Sequence, residues 1–243
     1  MDSTQTPPSA AESLHMLLAS NHEIADFLNE LAKLAAFEVI GPSEGYCAIL
    51  LSRNRRKTVV GHSSQTAKDL DETQAGFNEG PCLEAQLRHK VILSPDVREE
   101  TRWPRYMTTL RASDIRSVMA APLSLGETAT AAMNFYALEP NAFTDEDIDE
   151  AQQFASLASL AVSVAIRIAD AADAAEDRQQ AMESRTAIDI AVGMIMAQQG
   201  CSQEEAFDLL AEVSSVRNVK VRDLARDLVA SVGKGTPKTA FET

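Results

Sequence analysis

Three cysteines in 243 residues, Cys47, Cys82 and Cys201, are too few and too far apart to build a disulfide framework. Four histidines, His15, His22, His62 and His89, are scattered, with no His-Glu-x-x-His or Cys-x-x-Cys spacing, so no zinc site is expected. A Gly-rich phosphate loop and a Gly-x-Ser-x-Gly elbow are both missing. With no nucleophile–base pair either, the sequence predicts no catalytic residue and no enzyme, and no cofactor is expected. No stretch approaches about 18 consecutive apolar residues, so no membrane span is expected. The start MDSTQTPPSAAESLH has no basic-then-apolar leader, which points to a cytoplasmic protein with reduced thiols.

What is present is ordinary globular material: 45% hydrophobic and 24% charged residues, enough for a sizeable core. The charge is uneven. Residues 1–177 carry 14 basic and 27 acidic side chains, whereas residues 178–243 carry eight and nine. An acidic front repels nucleic acid; the near-neutral back tolerates it better.

Residues 1–11 are polar and read as a disordered start. Helical spacing then runs from Leu14 to Val39 and stops at Gly41-Pro42. Strands are predicted at Tyr46–Leu51 and Thr58–His62 around a turn at Asn54-Arg55-Arg56, then at Val91–Leu93, Ser117–Leu123 and Ala129–Ala137. Helices are predicted at Asp69–Phe77, Cys82–Arg88 and Trp103–Ala112. This order gives an α+β domain with a largely antiparallel sheet and flanking helices.

A long helix opens at Thr144 with a Thr-x-x-Asp start. Phe154, Leu157, Ala161, Val164 and Ile168 alternate steps of three and four, a heptad seam that predicts a parallel homodimer. Behind it three helical segments follow. The first, Met182–Gln199, ends at Gly200. The second opens on Ser202-Gln203-Glu204-Glu205 with Ala206, Leu209, Leu210 and Val213 inward. The third, at about 219–232, turns Val221, Leu224, Ala225 and Leu228 inward.

Two stretches resemble known families. GFNEGPCLEAQLRHKVILSPDVREETRWPRY, with SVMAAPLSL and AMNFYALEPNAFTDEDI, is similar to an actinobacterial-style GAF domain, over about residues 21–168. RTAIDIAVGMIMAQQGCSQEEAFDLLAEVSSVRNVKVRDLARDLV resembles an ANTAR domain, over about 178–232. The expected organisation is a tail and helix start at 1–20, a GAF sensor at 21–168, a coiled-coil signalling helix at 144–180, an all-α three-helix ANTAR domain at 178–232 and a tail at 233–243.

The resemblance implies a transcription antitermination regulator. Its back domain would grip paired RNA hairpins in leader transcripts, and its front domain would gate that grip by sensing a small molecule. Arg185, Arg217, Asn218, Lys220 and Arg222 are the candidate RNA contacts. Arginine supplies planar donors, asparagine can bond an unstacked base, and a helix start offers free amides. Phe77, Cys82 and Leu83 are the candidate ligand-pocket residues; Cys82 also reads as a redox thiol or a core residue, and Trp103 as a packed anchor. Two departures stand out: Val192 and Ala211 occupy positions where the family commonly carries Lys and Arg. They keep open a protein-interaction module that has lost RNA binding. A DNA-binding helix-turn-helix is the other alternative, opposed by acidic residues on the third helix.

Overall fold

The computed structural model describes residues 9–20, 23–41, 44–53, 58–127 and 129–232. Residues 1–8, Pro42, the turn at Asn54-Arg55-Arg56 and the tail 233–243 fall outside them. The chain forms two compact units, dividing between Ala169 and Asp170.

The front unit begins with helix α1 (Ala10–Ser20), earlier than the sequence suggests. Ser9 and Glu12 explain this: Glu12 N donates to Ser9 Oγ at 3.3 Å and Ser9 N donates to Glu12 Oε2 at 2.8 Å, a reciprocal cap. The single helix expected from Leu14 to Val39 is instead broken. A second helix, α2 (Ile24–Ala35), follows with its own buried stripe, Phe27, Leu28, Leu31, Ala32 and Ala35, and runs into one π-helical turn at Ala36–Ile40.

The sheet follows the predicted order: β1 (Gly45–Arg53), β2 (Val59–His62), β3 (Ile92–Ser94), β4 (Ser117–Leu123) and β5 (Ala129–Ala137). It is five-stranded, in the order β2-β1-β5-β4-β3, and every pair is antiparallel. Between strands lie α3 (Gln65–Phe77), α4 (Pro81–Arg88) and α5 (Pro104–Arg111). Alternation along the strands sends neighbouring residues to opposite faces. Met133 and Phe135 of β5 therefore pack with α2, while Ala132 and Tyr136 pack with α3, α4 and α5. At β2 the backbone of α2 comes so close that a Cβ on Gly61 would lie 2.5 Å from Leu28.

Helix α6 (Asp145–Gln199) is a continuous 55-residue helix. Thr144 and Asp147 cap its start: Asp147 N donates to Thr144 Oγ1 at 3.3 Å, and Thr144 N to Asp147 Oδ2 at 2.7 Å. In the front unit Ala151, Phe154, Ala155, Ala158, Ala161, Val162, Ala165 and Ile166 belong to the same core as α2 and the sheet. By length and composition alone α6 could cross a membrane, which no consecutive apolar run in the sequence suggested; 44% of the window concerned is buried in the protein.

The back unit is the end of α6 with α7 (Gln203–Arg217) and α8 (Val221–Val232). Its core holds Ala187, Ala191, Val192, Ala206, Leu210, Ala225 and Val229. Two residues expected inside point outward instead: Leu209 is 43% exposed and Val213 40%. Ala206, Leu210 and Ser214, at strict steps of four, are the buried face of α7.

Candidate functional site

Of the candidates in the back unit, Arg217, Asn218, Lys220 and Arg222 lie at the link between α7 and α8, and Arg185 lies on α6. Helix α7 starts from a capping box, with Glu205 N donating to Ser202 Oγ and Ser202 N to Glu205 Oε2. It ends at Asn218, which adopts the left-handed conformation (φ 52°, ψ 41°) that asparagine tolerates better than most residues. Asn218 N donates to Ser215 O, and Val219 N donates to Ser214 O, both at 3.1 Å, which is the Schellman pattern. Buried Ser214 closes the turn a third time, its Oγ donating to Val219 O at 2.5 Å. Lys220 O then accepts from Asp223 N and Leu224 N, starting α8.

This geometry makes Asn218 a helix stop rather than a helix start. It also compresses Arg217, Asn218 and Lys220, all exposed, into one tight turn. Arg222 follows on the first turn of α8, half exposed, with its Nε 3.6 Å from Asp223 Oδ1. Arg185 lies on α6, 86% exposed along its side chain and 3.9 Å from Asp189. Its neighbour Ser184 accepts from Arg226 Nη2 of α8 at 3.4 Å. Val192 is 5% exposed within the core, and Ala211 is half buried.

The seam on α6 divides. Phe154 and Ala161 are 4% and 5% exposed and belong to the protomer's own core, so they are not available to a second copy. Leu157, Val164 and Ile168 are exposed at 41%, 44% and 47%, and Leu160, which the sequence analysis left out, at 70%.

The three candidate ligand residues of the front unit belong to one apolar cluster but differ in exposure. Phe77, half buried at the end of α3, lies under the Arg105 guanidinium at 5.0 Å, and its carbonyl accepts from Arg105 Nη2. Leu83 helps line an open 660 Å³ groove with Glu79, Glu84, His89 and Trp103. Cys82 is fully buried; its N donates to Gln74 Oε1 at 3.2 Å, and burial pushes its thiol well above the ordinary range. A reactive thiolate requires the opposite environment. Trp103 is a packed anchor, 5% exposed, with its Nε1 donating to Glu84 at 3.1 Å. Among the described residues, no three His, Cys, Asp or Glu side chains gather as a metal would need.

Between the sheet and α3 the structure shows a polar cluster that the sequence analysis missed. Asp71 is fully buried. Its carboxylate accepts from Gln74 Nε2 at 2.6 Å, from Asn134 Nδ2 at 2.7 and 2.9 Å, and from Tyr136 OH at 2.6 Å. The hydroxyls of Tyr136 and Tyr106 are 3.0 Å apart. Burial raises Asp71 to about 6, against the lowering pull of Tyr136, Asn134 and Gln74. A signal was there to read: Ala67, Leu70, Asp71 and Gln74 share the buried spacing of α3, so two polar residues sit on its apolar stripe.

Comparison with known families now bears on these units. The GAF domain family matches residues 21–163, and the ANTAR domain family matches residues 176–229. No curated protein matches the chain significantly. Among solved structures, the front unit is similar to the reduced form of fRMsr of Staphylococcus aureus, at 12% identity over 65% of this chain and 99% of that one, TM-score 0.47. It is also similar to the GAF domain of Acinetobacter phosphoenolpyruvate-protein phosphotransferase, at 12% identity over 65% of this chain and 93% of that one, TM-score 0.48. Likenesses this distant say nothing about activity. GAF and ANTAR are regulatory rather than catalytic domains; the first senses signals and the second binds RNA in antitermination. With a GAF match over more than half its length and an ANTAR match behind it, the chain belongs to the GAF family and is a two-domain GAF–ANTAR regulator.

Proposed function

We propose that the chain is a cytoplasmic, homodimeric regulator that binds stem-loops in leader transcripts and so controls transcription antitermination. The observation that carries this reading is the turn at residues 217–220. Arg217, Asn218 and Lys220 are all exposed on a turn locked by three hydrogen bonds, directly before the start of α8. A rigid turn presents two cations and an amide with little ordering cost, and the first amides of α8 add donors for phosphate. Arg222 on the first turn extends the patch, and Arg185 is a further contact on α6. The apolar stripe Leu157, Leu160, Val164 and Ile168 joins two protomers, which presents two such patches to a target with two hairpins.

A second reading has its own observation. Leu209, Val213 and Val216 form an apolar stripe on α7, with Val216 81% exposed. Such a stripe suits a protein partner better than a phosphate backbone. Competition separates the readings: labelled tandem-hairpin RNA is bound, then challenged with unlabelled RNA or duplex DNA of equal length. Displacement by RNA but not by DNA supports the RNA reading. Equal displacement by both favours a DNA-binding role. Absence of binding by folded protein favours the protein partner.

A further inference from the structure

Asp71 is the one acidic residue fully buried among the described residues. The groups that face it are Gln74 from its own helix, Asn134 and Tyr136 from β5, Tyr106 from α5 and Cys82 from α4, whereas Cys47 of β1 feels its charge from the opposite face of the sheet. None is a cation. The charge is therefore held only by neutral donors, which favour the carboxylate while burial opposes it.

The hydrogen-bond inventory of this cluster suits the charged form and conflicts with the neutral one. A carboxylate is acceptor-only and takes all four contacts from Gln74, Asn134 and Tyr136. A protonated carboxyl carries one O–H donor and needs an acceptor. One is at hand: Asn134 Oδ1 is buried with no hydrogen-bond partner. A half-turn of the Asn134 amide brings Oδ1 to the new O–H and swings Nδ2 away. The proton comes from hydronium, which is left as water, and no other covalent bond is made or broken. Both contacts from Asn134 to the carboxylate are exchanged for one bond of reversed polarity, which loosens the tie between α3 and β5.

Strand β5 passes the change across the sheet. Asn134 and Tyr136 face α3, whereas Met133 and Phe135 lie in the core cluster with Ala151, Ala155 and Ala158 of α6. We propose that the front unit is a proton sensor: Asp71 is a proton-binding site whose loading turns the Asn134 amide and shifts β5 against the first half of α6. This rests on the reading of the front unit as a sensor, and it names the signal.

The test uses the full chain with 13C-labelled aspartate, followed by carboxyl NMR from about pH 5 to about pH 8, with Asp71→Asn identifying the resonance. Hydrogen exchange on β5 and on residues 145–166 is measured over the same range. The expected result is a carboxyl midpoint near 6, an exchange change with the same midpoint, and no such change in Asp71→Asn. Tyr136→Phe removes a donor to the charged form, so it should move the midpoint up by about one unit or more. That variant keeps the test available if Asp71→Asn fails to fold. A carboxyl signal constant across the range overturns the proposal. So does an exchange change that persists in Asp71→Asn, or a midpoint that Tyr136→Phe leaves in place. These readouts need no RNA, so failure of the RNA reading would not alter them.

Discussion

Replacing Leu160 and Ile168 together by aspartate should separate the dimer while leaving each protomer folded. Leu160 is 70% exposed and Ile168 47%, so the pair exposes rather more than one whole aliphatic side chain per helix. Burying such a side chain is worth about 1.5–3 kcal/mol. Counted on both helices of a dimer, the double substitution forfeits about 4–7 kcal/mol, before any repulsion between the new carboxylates. That weakens the dimer dissociation constant by about a thousandfold or more. Protomer stability should hardly change, because neither side chain belongs to the front-unit core. Light scattering across a dilution series reads the mass, and a thermal melt by circular dichroism reads the fold. Phe154→Asp makes the contrast: at 4% exposure it places a charge inside the core and should unfold the front unit. A double variant that stays dimeric at the same concentrations as the parent chain, with an unchanged melt, would refute the assignment of this stripe to the dimer.

Ser214→Ala removes the hydrogen bond from the buried Ser214 hydroxyl to the Val219 carbonyl and should cost about 0.5–1.5 kcal/mol, seen as a lower midpoint in urea. Val192→Lys restores a cation common in the family but sets an ammonium in a core position 5% exposed, so the back unit should lose about 2 kcal/mol or more in the same assay. Gly61→Ala brings a Cβ to 2.5 Å from the Leu28 backbone and side chain, and should destabilise the front unit by about 1–3 kcal/mol. The pH dependence of stability carries the sign of Asp71. Its folded value near 6 lies above the ordinary 3.8, so the folded state holds the proton more tightly. Its contribution to stability therefore increases as pH falls from about 6 to about 4, by about 3 kcal/mol, and urea midpoints of the parent chain measured against Asp71→Asn should diverge in that window.

The strands and short helices of the front unit were legible because Gly and Pro punctuate them: Pro81 and Pro104 open α4 and α5, and Gly126 lies between β4 and β5. The long helix was legible in its start, yet its continuity through Met182–Gln199 and its facing were not. Steps of three and four run both through Phe154 and Ala161, which meet the sheet, and through Leu157, Val164 and Ile168, which do not. Periodicity reports that a stripe exists and leaves its partner undecided. The same ambiguity misplaced Leu209 and Val213, since α7 is apolar on two sides. Asp71 escaped notice because, between Asp69 and Glu72 on a polar helix, it reads as solvent-facing until Asn134 and Tyr136, more than 60 residues away, are seen to supply its donors. The turn at Arg217–Arg222 was found by composition, but its rigidity comes from the left-handed Asn218 and the buried Ser214, which spacing alone does not reveal.

If the turn between α7 and α8 reads RNA, its binding must weaken with salt in proportion to the cations it brings to phosphate. A fluorescence titration of the full chain against a tandem-hairpin RNA, repeated across a salt series, gives the slope of log affinity against log salt. Each cation released from phosphate contact removes somewhat less than one unit of that slope. Replacing Arg217, Lys220 and Arg222 by alanine should weaken binding and flatten the slope by about two, with the fold intact by circular dichroism. An unchanged slope in that variant, or no salt-dependent binding by the parent chain, would contradict it.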